Sequence, residues 1–263
     1  MIKLVLLSGI LAFSLGVIQN EMWLMPDKFV YTANGDTCRI KLLSGESFTG
    51  QLAEVEKKKI AGIEWVNDGK KQDITSLLNE KEKQLAFRLP HEGTYKVVLK
   101  VSDQSIGYDP ETFNQLLKDY DLGEVMYARE TKGETNKPGE VLQSSSHTVL
   151  IQSGTKVDQS ISTSGLPVEI LPDKNPYALK LGDEIKFTIL YNKKPLFGAR
   201  VKIWNRYNNR TTLQHIYTEK DGTITTHLSS PGPWMISVVK MDAHDQGNTQ
   251  WKTYNANLVF GVQ

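Results

Sequence analysis
The chain has 263 residues, 39% of them hydrophobic and 23% charged, and a formal net charge of +1. This length suits two domains of about 100 to 150 residues, and the near-neutral balance excludes any general electrostatic attraction to nucleic acid or an acidic membrane. Cys38 is the only cysteine, so intramolecular disulfides are excluded and stability must come from buried cores.

Met1-Ile2-Lys3 precedes an apolar run from Leu4 to Ile18 in which Ser8 and Ser14 are the polar members. A run of about 15 residues falls short of the roughly 20 that a membrane span needs, and with its basic start it reads as a secretory leader. Residues 1–19 are therefore expected to be removed, with Ser14 and Gly16 marking one cut and a site nearer Asn20 the alternative. A retained anchor helix is the competing reading. No cysteine follows the leader to carry a lipid, so the mature chain is expected in the periplasm without a stable span. Glu21-Met22-Trp23-Leu24-Met25-Pro26 then opens the folded protein as a strand that Pro26 ends or bends.

Short period-two segments separated by Gly, Asp, Asn and Pro predict an all-β chain of antiparallel sheets. In the first half they are Phe29 to Tyr31, Cys38 to Leu42, Leu85 to Leu89 and Tyr95 to Val101. Cys38 shares a face with Ile40 and Leu42, which predicts a buried structural thiol. Tyr95, Val97, Leu99 and Val101 alternate with Lys96 and Lys100, predicting one buried face and one wet face. One short helix interrupts the pattern. Asp109 caps it, Pro110 starts it, Phe113, Leu116, Leu117 and Tyr120 form its apolar stripe, and Gly123 stops it. A polar loop from Thr131 to Glu140 leads to the strand His147 to Ile151, which closes a first immunoglobulin-like β-sandwich domain spanning residues 20–163.

The second domain, residues 164–263, opens with the proline-stiffened stretch Leu166 to Tyr177. Ile185, Phe187, Ile189 and Tyr191 share one strand face. Asp221-Gly222 reads as a hairpin turn, and Trp234 to Met241 and Tyr254 to Val262 supply the closing strands. About seven strands in about 98 residues make an immunoglobulin-like sandwich.

Lys194-Pro195-Leu196-Phe197-Gly198-Ala199-Arg200-Val201, followed by Thr218 to Thr223, resembles the transthyretin-like and carboxypeptidase-regulatory-like sandwich modules. Over nearly the whole mature chain, five ordered landmarks resemble the exported bacterial family called domain of unknown function 4198. They are Glu21 to Leu24, Leu166 to Asp183, Lys194 to Val201, Pro231 to Trp234, and Trp251. The resemblance implies a periplasmic component of nickel or cobalt uptake, with an envelope protein or transporter component as partner. In that family a histidine near the new amino terminus would join its imidazole to the freed α-amine as a chelate for nickel or copper. Here Asn20 stands at that place. A basic strand motif of the family is reduced to Gly139 to His147, in which only Glu140 matches.

The five histidines, His91, His147, His215, His227 and His244, lie at least 12 residues apart, so no single element presents two imidazoles to one metal. The candidate metal ligands are Asp242, His244 and Asp245, two carboxylates and an imidazole in one short stretch, with Glu21 as a further carboxylate. The competing reading of that stretch is a solvated hairpin loop. Met22, Met25, Met235 and Met241 are candidate thioether ligands for copper and equally ordinary core fillers. No nucleophile elbow, phosphate-binding glycine loop or paired acid and base is present, so a non-catalytic protein is expected. Two functions remain: an exported binding or accessory protein, in nickel, cobalt or copper handling, and a structural interaction module of the cell envelope.

Overall fold
The computed structural model describes residues 21–32, 35–157, 161–244 and 246–263. The expected leader, Asn20 and Asp245 lie outside the described residues. In chain order the first strands are β1 (Glu21–Pro26), β2 (Val30–Tyr31), β3 (Thr37–Glu46), β4 (Thr49–Leu52), β5 (Ile60–Asn67), β6 (Lys70–Asp73), β7 (Leu78–Asn79), β8 (Gln84–Arg88) and β9 (Gly93–Tyr108). Helices α1 (Pro110–Asp119) and α2 (Gly123–Thr131) follow, then β10 (Gly139–Ser153). The remainder is β11 (Val168–Pro172), β12 (Glu184–Tyr191), β13 (Lys194–Pro195), β14 (Arg200–Tyr207), β15 (Arg210–Tyr217), β16 (Thr223–His227), β17 (Gly232–Ala243) and β18 (Trp251–Val262).

These strands form three sheets, as an all-β sandwich protein requires. A nine-stranded sheet runs β15-β14-β17-β18-β10-β9-β5-β6, with β2 joined to β10. It therefore passes through both halves of the chain, and the joint is a parallel pair in which Val141 to Val149 of β10 face Trp251 to Val259 of β18. Parallel pairing departs from the purely antiparallel expectation, because alternation along a strand reports which face is buried and not which way its neighbour runs.

The two smaller sheets cover opposite faces of the large one. The five-stranded sheet β1-β3-β8-β7, with β4 on β3, places Trp23, Leu24, Cys38, Ile40, Leu42, Leu85 and Phe87 against Ile63, Tyr95, Val97, Leu99, Val149 and Ile151. The four-stranded sheet β11-β12-β13, with β16 on β12, places Ile170, Ile185, Phe187, Ile189 and Ile224 against Val201, Ile203, Trp234, Ile236, Leu258 and Phe260. Met235 and Val259 belong to the first core while their neighbours in sequence belong to the second. This is why β17 and β18 read as nearly continuous apolar runs.

Three local expectations need correction. The helical insertion has two helices. Asp109 accepts the Thr112 N–H at 2.9 Å and caps α1, but Gly123 begins α2 where it was expected to end the helical segment. Lys96 is only 4% exposed, since residues 162–169 lie over what was expected to be the wet face of β9. The Asp221-Gly222 turn is present, with Gly222 at φ +75, but it joins β15 of the nine-stranded sheet to β16 of the four-stranded one. It is a crossover between sheets, and a two-residue turn signal cannot distinguish that from a hairpin.

Candidate functional site
The helical pair lies on the same face of the large sheet as β1. Phe113, Leu116, Leu117 and Val125 pack on Val141, Met241 and Trp251, Lys202 sits 4.1 Å from the Tyr120 ring centre, and the Tyr217 hydroxyl donates to Asp121 at 2.5 Å. Between helix and β1 a cleft of about 160 Å³ remains, floored by β10, β17 and β18. Its wall includes Glu21, Met22, Tyr120, Gln104, Gln143, Ser145, His147, Ser237, Asn255 and Asn257.

Strand alternation builds this floor. His147 and Asn257 are register partners on the parallel strands β10 and β18, so their side chains stand next to one another. Both are buried, at 4% and 6% exposure. The Asn257 amide donates to the Met22 carbonyl at 2.6 Å, which fastens β1 to the sheet. Its Oδ1 has no hydrogen-bond partner among the described residues, and neither has either ring nitrogen of His147. Burial pushes His147 down to about 4, and although Asn257 and the Met22 carbonyl favour the charged form, no contact meets hydrogen-bond geometry at the ring. The imidazole is therefore neutral at pH 7, with one donor and one acceptor open. At the rim Glu21 accepts from Ser237 Oγ at 3.3 Å and pairs with Lys202 at 3.3 Å.

The sequence-derived candidates are scattered relative to this cleft. Glu21 lines it. Asp242 lies on β17, where Lys240 holds Oδ1 at 2.9 Å and the Tyr191 hydroxyl donates to Oδ2. His244 follows β17 and its backbone N–H donates to the Gln250 carbonyl at 2.8 Å. Asp245 lies outside the described residues. Among the described residues no group of three or more His, Cys, Asp or Glu is placed to hold a metal ion. Met235 and Met241 are buried in separate apolar clusters, and Met22 and Met25 pack against the first of these. Sequence reading passed over His147 and Asn257. The available signal was an imidazole on the same strand face as Val149 and Ile151, a polar side chain where only apolar ones are expected.

Fold and cleft define an all-β protein of stacked sandwiches with a partly enclosed polar cleft where its sheets meet the helical insertion. The chain belongs to the family described as Domain of unknown function (DUF4198), whose profile matches residues 20–242. No curated protein matches it. Among solved structures it is similar to the three N-terminal domains of the bacteriophage RB49 Highly Immunogenic Outer Capsid protein, at 9% identity, 93% coverage of this chain, 71% of that chain and a TM-score of 0.22. A marsupial T cell receptor gives 7%, 90%, 74% and 0.22, and the Bacillus anthracis TIE protein 15%, 92%, 41% and 0.18. Scores this low carry no argument about fold or function.

Proposed function
We propose that this protein is an exported, non-catalytic binding protein that takes a small ligand in the cleft between β1, α1 and the nine-stranded sheet. One observation carries the reading: the cleft is lined by His147 and Asn257, two buried polar side chains whose ring nitrogens and Oδ1 have no hydrogen-bond partner among the described residues. Each such atom costs about 1–3 kcal/mol if left unsatisfied, so their retention at one cavity favours a partner that arrives from outside. The cavity far exceeds the roughly 10–15 Å³ that one water needs. Export is supported by the apolar leader. A non-catalytic role is supported by the absence, among the described residues, of any group hydrogen-bonded to His147 that would orient it as a base.

The nickel or cobalt role implied by the family resemblance fits the described residues poorly. Glu21 is engaged by Lys202 and Ser237, Asp242 by Lys240 and Tyr191, and neither meets an imidazole. The test is protein-observed NMR of the mature chain against a library of small polar compounds, with Ni(II) and Co(II) as separate arms. Saturable shifts at His147, Asn255 and Asn257 are expected from at least one compound and not from the metals. If no compound moves those signals, the reading fails.

A second reading, an envelope interaction module, is favoured by the edge strand β15. Leu213 and Tyr217 on it, with Tyr207 and Phe197 nearby, are 40%, 50%, 47% and 64% exposed, and its outer edge pairs with no strand among the described residues. This reading expects β15 amides to exchange much more slowly in isolated envelopes than in the purified protein, and equal rates would sink it.

A further inference from the structure
We propose that β15 is the seam of a two-fold homodimer, in which a second copy of this chain lays its own β15 antiparallel to the first and the nine-stranded sheet continues across the pair. The inference stands on the edge of that sheet and is independent of the cleft. It gives the edge to a second copy, where the envelope reading gives it to another protein.

The two edges of the sheet are built differently. One is β6, four exposed residues, Lys70, Lys71, Gln72 and Asp73. A short, lysine-bearing strand of this kind discourages further pairing. The other is β15, eight residues in unbroken register on β14, without proline or bulge and with Arg210 as its one formally charged residue. Its outward groups follow from the turn. Asn208 and Asn209, at φ 49 and 59, make a two-residue hairpin closed by the Tyr207–Arg210 pair, whose N–H and C=O groups bond to each other. Alternation from Arg210 turns the backbone groups of Thr212, Gln214 and Ile216 toward β14 and those of Thr211, Leu213, His215 and Tyr217 away from it.

These four outward residues select the register. A two-fold axis perpendicular to the sheet keeps the same face uppermost in both copies, so outward residues meet outward residues. With the axis at Gln214, Thr211 meets Tyr217 and Leu213 meets His215 on both sides, and every outward N–H and C=O is bonded. An axis at Leu213 or His215 leaves part of the ladder unpaired. Charge favours the same register. Asp121 holds the Tyr217 hydroxyl, Arg206 is the β14 partner of Thr211, and neither forms an ion pair among the described residues. Pairing Tyr217 with Thr211 of the second copy brings Asp121 and Arg206 of that copy to one face of the seam, and the axis repeats this contact. His215 adds no repulsion. The Arg200 guanidinium can only donate, so at 2.9 Å the Nδ1 accepts and the imidazole is neutral where it meets Leu213.

The test uses the full mature protein. Sedimentation across a wide concentration range is expected to show a monomer–dimer equilibrium, and the amides of Leu213 and His215 should exchange more slowly as the dimer fills. Cysteine cross-linking reads the register. Gln214 meets its own copy as a non-hydrogen-bonded pair with Cα atoms about 4.5 Å apart, within disulfide range, whereas Leu213 and its copy are offset by two residues and lie beyond about 7 Å. Q214C should therefore form a dimer disulfide under mild oxidation and L213C should not; Cys38 is buried and does not compete. L213K should weaken the dimer at least about tenfold with near-ultraviolet circular dichroism unchanged. R206D should weaken it at least about threefold, and adding D121K should recover most of that loss. A monomer at every concentration overturns the proposal. So does protection of the β15 amides by isolated envelopes and not by concentration, which gives the edge to an envelope partner. Cross-linking of L213C in place of Q214C, or a dimer indifferent to L213K, overturns the seam and its register.

Discussion
His147 is the residue at which burial and chemistry meet most sharply, and its environment makes a pH prediction. Its ordinary value of 6.5 applies to the unfolded chain, and burial lowers it to about 4 in the fold. Between those values the unfolded state binds more protons, so its contribution to stability is complete above pH 6.5 and is lost as pH falls toward 4. At pH 5 the loss amounts to about 2 kcal/mol. Urea unfolding of wild type and H147F at pH 7.5 and pH 5 isolates this component, because other titrating groups cancel in the comparison. Wild type should lose about 2 kcal/mol more than the variant on acidification; an equal loss would show that the ring is solvated or charged in the fold. Little of this was legible in the sequence. Histidine spacing speaks only of what one element can present, whereas His147 and Asn257 are 110 residues apart in sequence and meet through the parallel β10–β18 register. Cys38 was legible, since its burial follows from its own strand's alternation: it is fully buried, and burial pushes the thiol up to about 12, with the Tyr31 hydrogen bond opposing.

Among the elements, α1 was readable because its signals are local: a capping Asp109, Pro110 at the first turn and an apolar stripe at helical spacing. Helix α2 was not, because Leu122 at its start offers no side-chain cap and packing on its neighbours decides its existence. How α1 docks depends on Gly139. A Cβ there would lie 2.2 Å from Phe113 Cδ1, and Phe113 is fully buried beneath the Arg129 guanidinium at 4.6 Å. G139A should therefore cost about 1–3 kcal/mol in urea unfolding, and F113A should restore room, so the double variant should lose less than the two singles summed. Additive losses would mean that the helix does not bear on the sheet at this point. The segment before β11 is held differently. Lys96 pairs with Glu169 at 3.7 Å, each about 5% exposed or less, and donates to the Ser162 carbonyl at 2.9 Å. Burial holds the Lys96 ammonium below the ordinary lysine range, with Glu169 opposing. K96M alone strands a buried carboxylate and should cost about 3–5 kcal/mol, whereas K96M combined with E169L should recover most of that loss. If the double variant were no better than K96M, the segment would be held by something other than the ion pair. Alternation predicted a solvated Lys96 because a strand cannot announce that a distant loop will cover it.

At the scale of the whole molecule, the nine-stranded sheet makes the two halves interdependent. Sequence reading separated them between residues 163 and 164, just before the proline-stiffened stretch from Leu166, and such a local signal carries no information about hydrogen bonding across the boundary. In the fold β10 lies between β9 and β18. Leu150 of β10 is buried in the core of the second half, while Trp204, Met235 and Val259 of the second half are buried in the core of the first. The helical insertion adds to this exchange, since Lys240 of β17 reaches Glu124 of α2 at 3.5 Å and Asn257 of β18 holds β1. A chain of residues 20–163 would expose the β10 edge along Val141 to Val149 and lose the partner of Leu150. A chain of residues 164–263 would expose β18 on the same seam. Open, apolar strand edges of this length pair with other chains, so each piece alone should be insoluble or without native near-ultraviolet circular dichroism. The intact protein should unfold in one transition, with tryptophan fluorescence, which samples Trp23 and Trp65 in one half and Trp204, Trp234 and Trp251 in the other, coinciding with far-ultraviolet circular dichroism. Two separated transitions, or native-like folding of either piece, would show that the continuous sheet does not couple the halves. The cleft floor depends on the same seam, because β10, β17 and β18 come from both sides of it. Ligand binding and global stability should therefore be lost together in any variant that opens the β10–β18 pair.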